Sequence, residues 1–160
     1  QMLVSARGSV LALDVSAATP LHVAAEQGSL TAAAAILRAA QGRGDLTNLV
    51  RMHDGQGMTV LDSAVAGEHV EIAQLLLRYG GLHSKSFNGS CPWPVADAVV
   101  LGDLAALHRA AGALADPAAL TNCSLPPEGR GRSLLHLAAT AADLVRPPAG
   151  AGVVRALLAL

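Results

Sequence analysis

One short block of sequence occurs four times in this chain, and that recurrence constrains the fold more than any other feature. Thr19-Pro20-Leu21-His22-Val23-Ala24-Ala25 aligns with Thr59-Val60-Leu61-Asp62-Ser63-Ala64-Val65. It aligns again with Trp93-Pro94-Val95-Ala96-Asp97-Ala98-Val99 and Ser133-Leu134-Leu135-His136-Leu137-Ala138-Ala139. The copies start at 19, 59, 93 and 133, so the spacings are 40, 34 and 40 residues. A fixed period of this size marks a stack of small units, each unable to bury its own apolar face, with extra residues falling in loops.

The repeat extends in both directions. Five residues before each start stands Asp14, Asp54, Asn88 or Glu128, and two residues before stands Ala17, Gly57, Cys91 or Gly131. An Asx-type acceptor followed by a residue tolerant of positive φ is the chemistry of a tight turn. Downstream, turns are expected around Gln27-Gly28, Gly67-Glu68, Leu101-Gly102 and Ala141-Ala142. A second apolar-periodic stretch then follows at Leu30 to Leu37, Val70 to Leu77, Leu104 to Leu114 and Val153 to Leu160. Arg146-Pro147-Pro148-Ala149-Gly150 interrupts the last of these, so its helix is expected to start late, near Gly152.

Composition agrees with stacked helices. Of 160 residues, 33 are Ala and 26 are Leu, while Phe, Trp and Tyr occur once each. Ala and Leu are strong helix formers and poor strand formers, and small side chains let helices approach closely. The Thr or Ser that opens a copy can cap the first helix, and a Pro just inside it costs nothing because that N–H has no helical partner. Pro20 and Pro94 stand there. The small pairs Ala24-Ala25, Ala64-Val65, Ala98-Val99 and Ala138-Ala139 are expected at the seams between layers.

These residues resemble ankyrin repeats. Thr19-Pro20-Leu21-His22-Val23-Ala24-Ala25 with Gly28 is similar to the family's central signature, and His69 to Gly80 resembles its second helix and terminating Gly. The resemblance implies an all-α solenoid of helix-turn-helix units with hairpin loops, spanning 1–160 as one array. Units are expected at about 14–47, 54–82, 88–116 and 128–160, with 1–13 a partial leading unit. The motif positions are Thr19, Pro20, Leu21, His22, Gly28, Gly57, Thr59, Gly80, Pro94, Gly102, Gly131, Ser133 and His136. The family's His bridges neighbouring loops, which implies that role for His22 and His136. Trp93 and Ser133 depart from the opening Thr.

The same resemblance implies a protein-binding face built from loop tips and first helices. Its usual contact positions fall here on Glu26, Gln27, Gln56, Met58, Ser90, Trp93, Val100, Leu101, Arg130, Arg132 and Thr140. Trp93 reads either as an interface anchor or as a core residue in the place of the capping Thr.

Catalytic constellations are not found. There is no GxSxG, GxxxxGK[ST], HExxH or strand-to-helix GxGxxG. The six histidines lie at different places in the repeat apart from His22 and His136, which argues against a metal site. No cofactor is expected. A net charge of −1 with scattered basic residues offers no field for nucleic acid, and charges break every long apolar run, so no membrane span is expected. Cys91 and Cys123 form no disulfide framework, a usage that suits an intracellular setting. Arg43-Gly44-Asp45 reads as a Gly-rich loop.

The expected function is therefore a non-enzymatic, monomeric module that binds another protein. The alternative is a structural or autoinhibitory segment of a larger enzyme, adaptor or channel. Val153 to Leu160 stops inside an apolar helix, so the array is expected to continue at one or both ends.

Overall fold

The computed structural model describes residues 9–84, 92–114, 120, 123, 133–144 and 149–159. The chain divides into two compact units, Gln1–Phe87 and Asn88–Leu160. Among the described residues the regular structure is helical, and an isolated antiparallel bridge joins His53 and Thr59.

The first unit holds α1 (Pro20–Glu26), α2 (Leu30–Arg43), α3 (Leu46–Leu49), α4 (Val60–Ala66) and α5 (Val70–Arg78). Helix α1 starts where the sequence supplies both a cap and a compatible proline. The Thr19 hydroxyl accepts the His22 N–H, the His22 ring accepts the Thr19 N–H, and Pro20 takes the first helical position. Helix α4 repeats the arrangement with Thr59 and Asp62. Helix α5 ends where Gly80 turns left-handed at φ +78° and the Gly81 N–H returns to the Leu76 carbonyl.

Helices α1 and α4 pack side by side, α2 and α5 cover them in turn, and α2 also meets α5. This contact buries Leu21, Ala25, Leu37, Leu61, Ala64, Ile72 and Leu76 almost completely. Each large aliphatic side chain so buried is worth about 1.5–3 kcal/mol. The extra residues between the first two copies do not form an open loop: they lengthen α2 and add α3, which brings Leu49 and Val50 into the core. Arg43 is consequently the last residue of α2, Gly44 its left-handed cap at φ +78°, and Asp45 the residue before α3. The loop expected at Arg43-Gly44-Asp45 is corrected to a helix end, because the Ala-rich stretch before it carries helix up to the glycine.

The second unit holds α6 (Trp93–Leu101), α7 (Leu104–Gly112), α8 (Leu134–Leu144) and α9 (Ala149–Leu158). Helix α6 packs on α7 and α8, and α9 packs on α8 and α7. Pro92 occupies the cap position of α6, so Trp93 is the first helical residue and not the cap, and it is half-buried. Two boundaries differ from expectation. No turn forms at Ala141-Ala142, where α8 runs on to Leu144, because two alanines propagate a helix and no glycine stops it. Helix α9 begins at Ala149, three residues before Gly152.

The seam pairs are buried in three copies, whereas in the fourth Ala138 is buried and Ala139 exposed. The turns expected at Asn88, Cys91, Glu128 and Gly131 lie outside the described residues.

Candidate protein-binding surface

The loop tips of the first unit are built by two aspartates acting alike. Asp14 Oδ1 accepts the N–H groups of Ser16 and Ala18 at 2.8 and 2.9 Å, and Asp54 Oδ1 accepts those of Gln56 and Met58, both at 2.9 Å. The Ser16 hydroxyl and these amides hold the Asp14 carboxyl below the usual carboxylate range. The left-handed residue that closes each loop is Ala17 at φ +57° in one and Gly57 at φ +80° in the other.

Two links join these loops. The Gly55 N–H donates to the Ser16 carbonyl at 2.8 Å. His22 supplies the second: its Nδ1 accepts the Thr19 N–H and hydroxyl at 3.3 and 2.8 Å, which leaves the proton on Nε2 to donate to the Met58 carbonyl at 3.3 Å. The His22 ring thus spans from its own helix cap to the next loop, as the resemblance implied. Burial pushes its titration below the ordinary histidine range, against the opposing pull of the Met58 carbonyl and the Asp54 charge.

A second histidine works on the other turns. His69 Nε2–H donates to the Glu26 carbonyl at 3.0 Å, with its ring lying across Gly28 and Gly67. A Cβ on Gly28 would come within 2.5 Å of the His69 ring, and one on Gly67 within 2.6 Å. Both positions therefore need the bare backbone. Neither His69 nor the Asp62–His83 pair stood out in the sequence, since their partners are distant in the chain.

The expected contact residues of the first unit reach the surface to different degrees. Glu26, Gln27 and Gln56 are exposed, and Met58 is half-buried. Val15 is fully exposed at the tip of the first loop. In the second unit Leu101 is 49 % exposed at the end of α6, Trp93 is half-buried, and the half-buried Thr140 donates its hydroxyl to the His136 carbonyl. Val100 is a correction: it is 0 % exposed, because α6 packs against both α7 and α8 and its aliphatic side chains are drawn into that contact. Ala66 and Ala141, at corresponding helix positions, are buried as well. Ser90, Arg130, Gly131 and Arg132 lie outside the described residues.

Among the described residues no three or more His, Cys, Asp or Glu gather into a group that could hold a metal ion, and no helix is long and apolar enough to cross a membrane. Cys123 is buried. The Ser133 hydroxyl lies 2.9 Å from His136 Nδ1, the same capping arrangement as Thr19 with His22.

No curated protein matches the chain in a sequence comparison. The family description "Ankyrin repeats" matches residues 2–87, in three copies. Such repeats are generally protein–protein interaction modules and typically non-catalytic. The capped first helices, the Asx-turned loops and the bridging His22 are the parts that this match joins into one pattern, and the chain belongs to the ankyrin-repeat family.

Proposed function

We propose that the chain is a non-enzymatic, intracellular, monomeric module whose first unit takes a partner protein on the loop tips and the outward ends of the first helices. One observation carries this reading. The Gly55-to-Ser16 and His22-to-Met58 bonds hold two loops side by side, so Val15, Gln56, Met58, Glu26 and Gln27 lie on consecutive, mutually fixed loops and helices. A surface fixed before binding loses little conformational entropy when a partner docks. Exposed Val15 supplies apolar area, and Gln56 and Glu26 supply polar contacts. In the second unit, Leu101 is the exposed apolar residue at the matching end of a first helix.

Site-specific photocrosslinking tests this. A crosslinker at position 56 or 15 should trap a defined partner from cell extract, whereas one at Arg38, on α2, should not. Gln56→Arg should weaken capture while the helical circular dichroism stays unchanged. Equal trapping from position 38, or capture unaffected by Gln56→Arg, would count against this face.

A further inference from the structure

Two structural requirements meet at Asp54-Gly55, and together they fix a chemically labile dipeptide in a loop tip. The turn needs the carboxylate, because Asp54 Oδ1 accepts the Gln56 and Met58 N–H groups, both at 2.9 Å. The link to the preceding loop needs the glycine, because a Cβ at position 55 would come within 2.7 Å of the Ser16 carbonyl oxygen. At the same place in the first loop stands Asp14-Val15, whose valine side chain is fully exposed and meets no such limit.

An aspartate followed by glycine closes on itself readily, since no side chain shields the next amide nitrogen. Closure joins the Gly55 nitrogen to Asp54 Cγ. The N–H proton goes to solvent, a carboxyl oxygen leaves as water, and a succinimide ring forms. Water then opens the ring at the Asp54 backbone carbonyl, so that the chain runs through Cγ and the α-carboxylate is released. One water is lost and one gained, and the product, isoaspartate, has the mass of the parent.

The fold holds back the first step. The Gly55 N–H that must give up its proton donates to the Ser16 carbonyl at 2.8 Å, and the Asp54 carboxyl is tied down by two amides. The Ser16 carbonyl is itself placed by Asp14, whose Oδ1 accepts the Ser16 and Ala18 N–H groups at 2.8 and 2.9 Å. Gly55 is exposed, so water for the second step reaches it.

We propose that Asp54 is a site of isoaspartate formation gated by the bond between the two loops. It is closed while Ser16 holds the Gly55 N–H and open when the loops part. The product then keeps them apart, because the extra backbone carbon draws the carboxylate away from the Gln56 and Met58 amides. This is covalent chemistry within the loop and depends on no partner protein.

The test ages the full chain at neutral pH and counts isoaspartate at position 54 by the failure of an aspartate-specific endoproteinase to cut there. Hydrogen exchange of the Gly55 N–H is followed in parallel. The folded chain should isomerise at least about tenfold more slowly than the same chain unfolded in urea. Across a urea series below the unfolding transition, isomerisation and Gly55 exchange should rise together. Asp14→Ala, which releases the Ser16 loop, should speed both by about three- to tenfold, and His22→Gln, which cuts the other link between the loops, should act in the same direction. Equal rates in the folded and unfolded chain overturn the gate, as does isomerisation that stays constant while Gly55 exchange quickens. The isomerised chain, separated from its parent, should exchange the Gly55 N–H rapidly and melt about 3 °C or more below it. A product that still protects Gly55 would show that the loops close again, against the proposal.

Discussion

Asp62 and His83 form a buried pair, with His83 Nδ1 donating to Asp62 Oδ1 at 2.5 Å. Asp62 stands where His22 stands in the preceding copy, three residues past the capping Thr. A carboxylate is too short to make the reach that the imidazole makes, so the histidine arrives from the other side, on the segment after α5. Asp62 Oδ2 meanwhile accepts the N–H groups of Thr59 and Ser84 at 2.9 and 3.0 Å. One carboxylate thus caps α4 and anchors the chain leaving α5.

Removing that carboxylate should be costly, because it strands three buried donors at once. Asp62→Ala is expected to destabilise the first unit by about 3 kcal/mol, read from urea denaturation. In a double-mutant cycle with His83→Ala the losses should not add, with a coupling of about 1–3 kcal/mol. Additive losses would mean that the pair contributes nothing beyond its separate bonds.

Acid should weaken the fold through His22. Its folded titration lies below the ordinary value, so the unfolded chain binds the proton more readily. Stability from this group is complete above about pH 6.5 and is lost as pH falls from there toward the folded value. Melting temperature should drop between pH 7.5 and 5.5, and His22→Gln should flatten part of that slope. A slope identical in the variant would rule His22 out as its source.

Among the described residues, two that are not glycine occupy the left-handed region, Ala17 at φ +57° and Glu68 at φ +59°. Glycines with the same sign of φ stand at the same place in other copies: Gly57 for Ala17, and Gly28 and Gly102 for Glu68. An L side chain there costs about 1–2 kcal/mol, partly offset by the larger unfolded-state entropy of glycine. Ala17→Gly should therefore raise stability by about 0.5–1 kcal/mol. Glu68→Gly should gain less, since it also gives up the side chain's interactions. Thermal melts of both variants decide this, and a loss at Ala17 would contradict it.

At Gly67 a methyl group would meet the His69 ring at 2.6 Å and the Ser63 carbonyl oxygen at 3.3 Å. Gly67→Ala should cost about 1–3 kcal/mol by overpacking. The same substitution in a His69→Ala background should cost markedly less. An equal penalty in both backgrounds would place the strain in the backbone instead.

The fold was largely legible because its signals are local. Thr19 and Thr59 cap helices, Pro20 opens one, and Gly28, Gly80 and Gly102 close turns by rules that act within a few residues. Signals that failed were those depending on what lies across a contact. The Ala141-Ala142 turn was expected from the repeat register, yet alanine continues a helix wherever neighbouring packing allows it. Val100 fell on a surface position of the repeat and is buried by α7 and α8.

The sequence alone determined the period, the helical content and the family, since each rests on residue type at fixed spacing. Tertiary structure decided which repeat positions carry interactions. His69 crosses to the Glu26 carbonyl 43 residues away, His83 crosses to Asp62, and Ala139 lies open where Ala25 is closed. Burial and hydrogen bonding belong to pairs of surfaces, and a side chain's partner is set by the layer stacked beside it rather than by its neighbours in the chain.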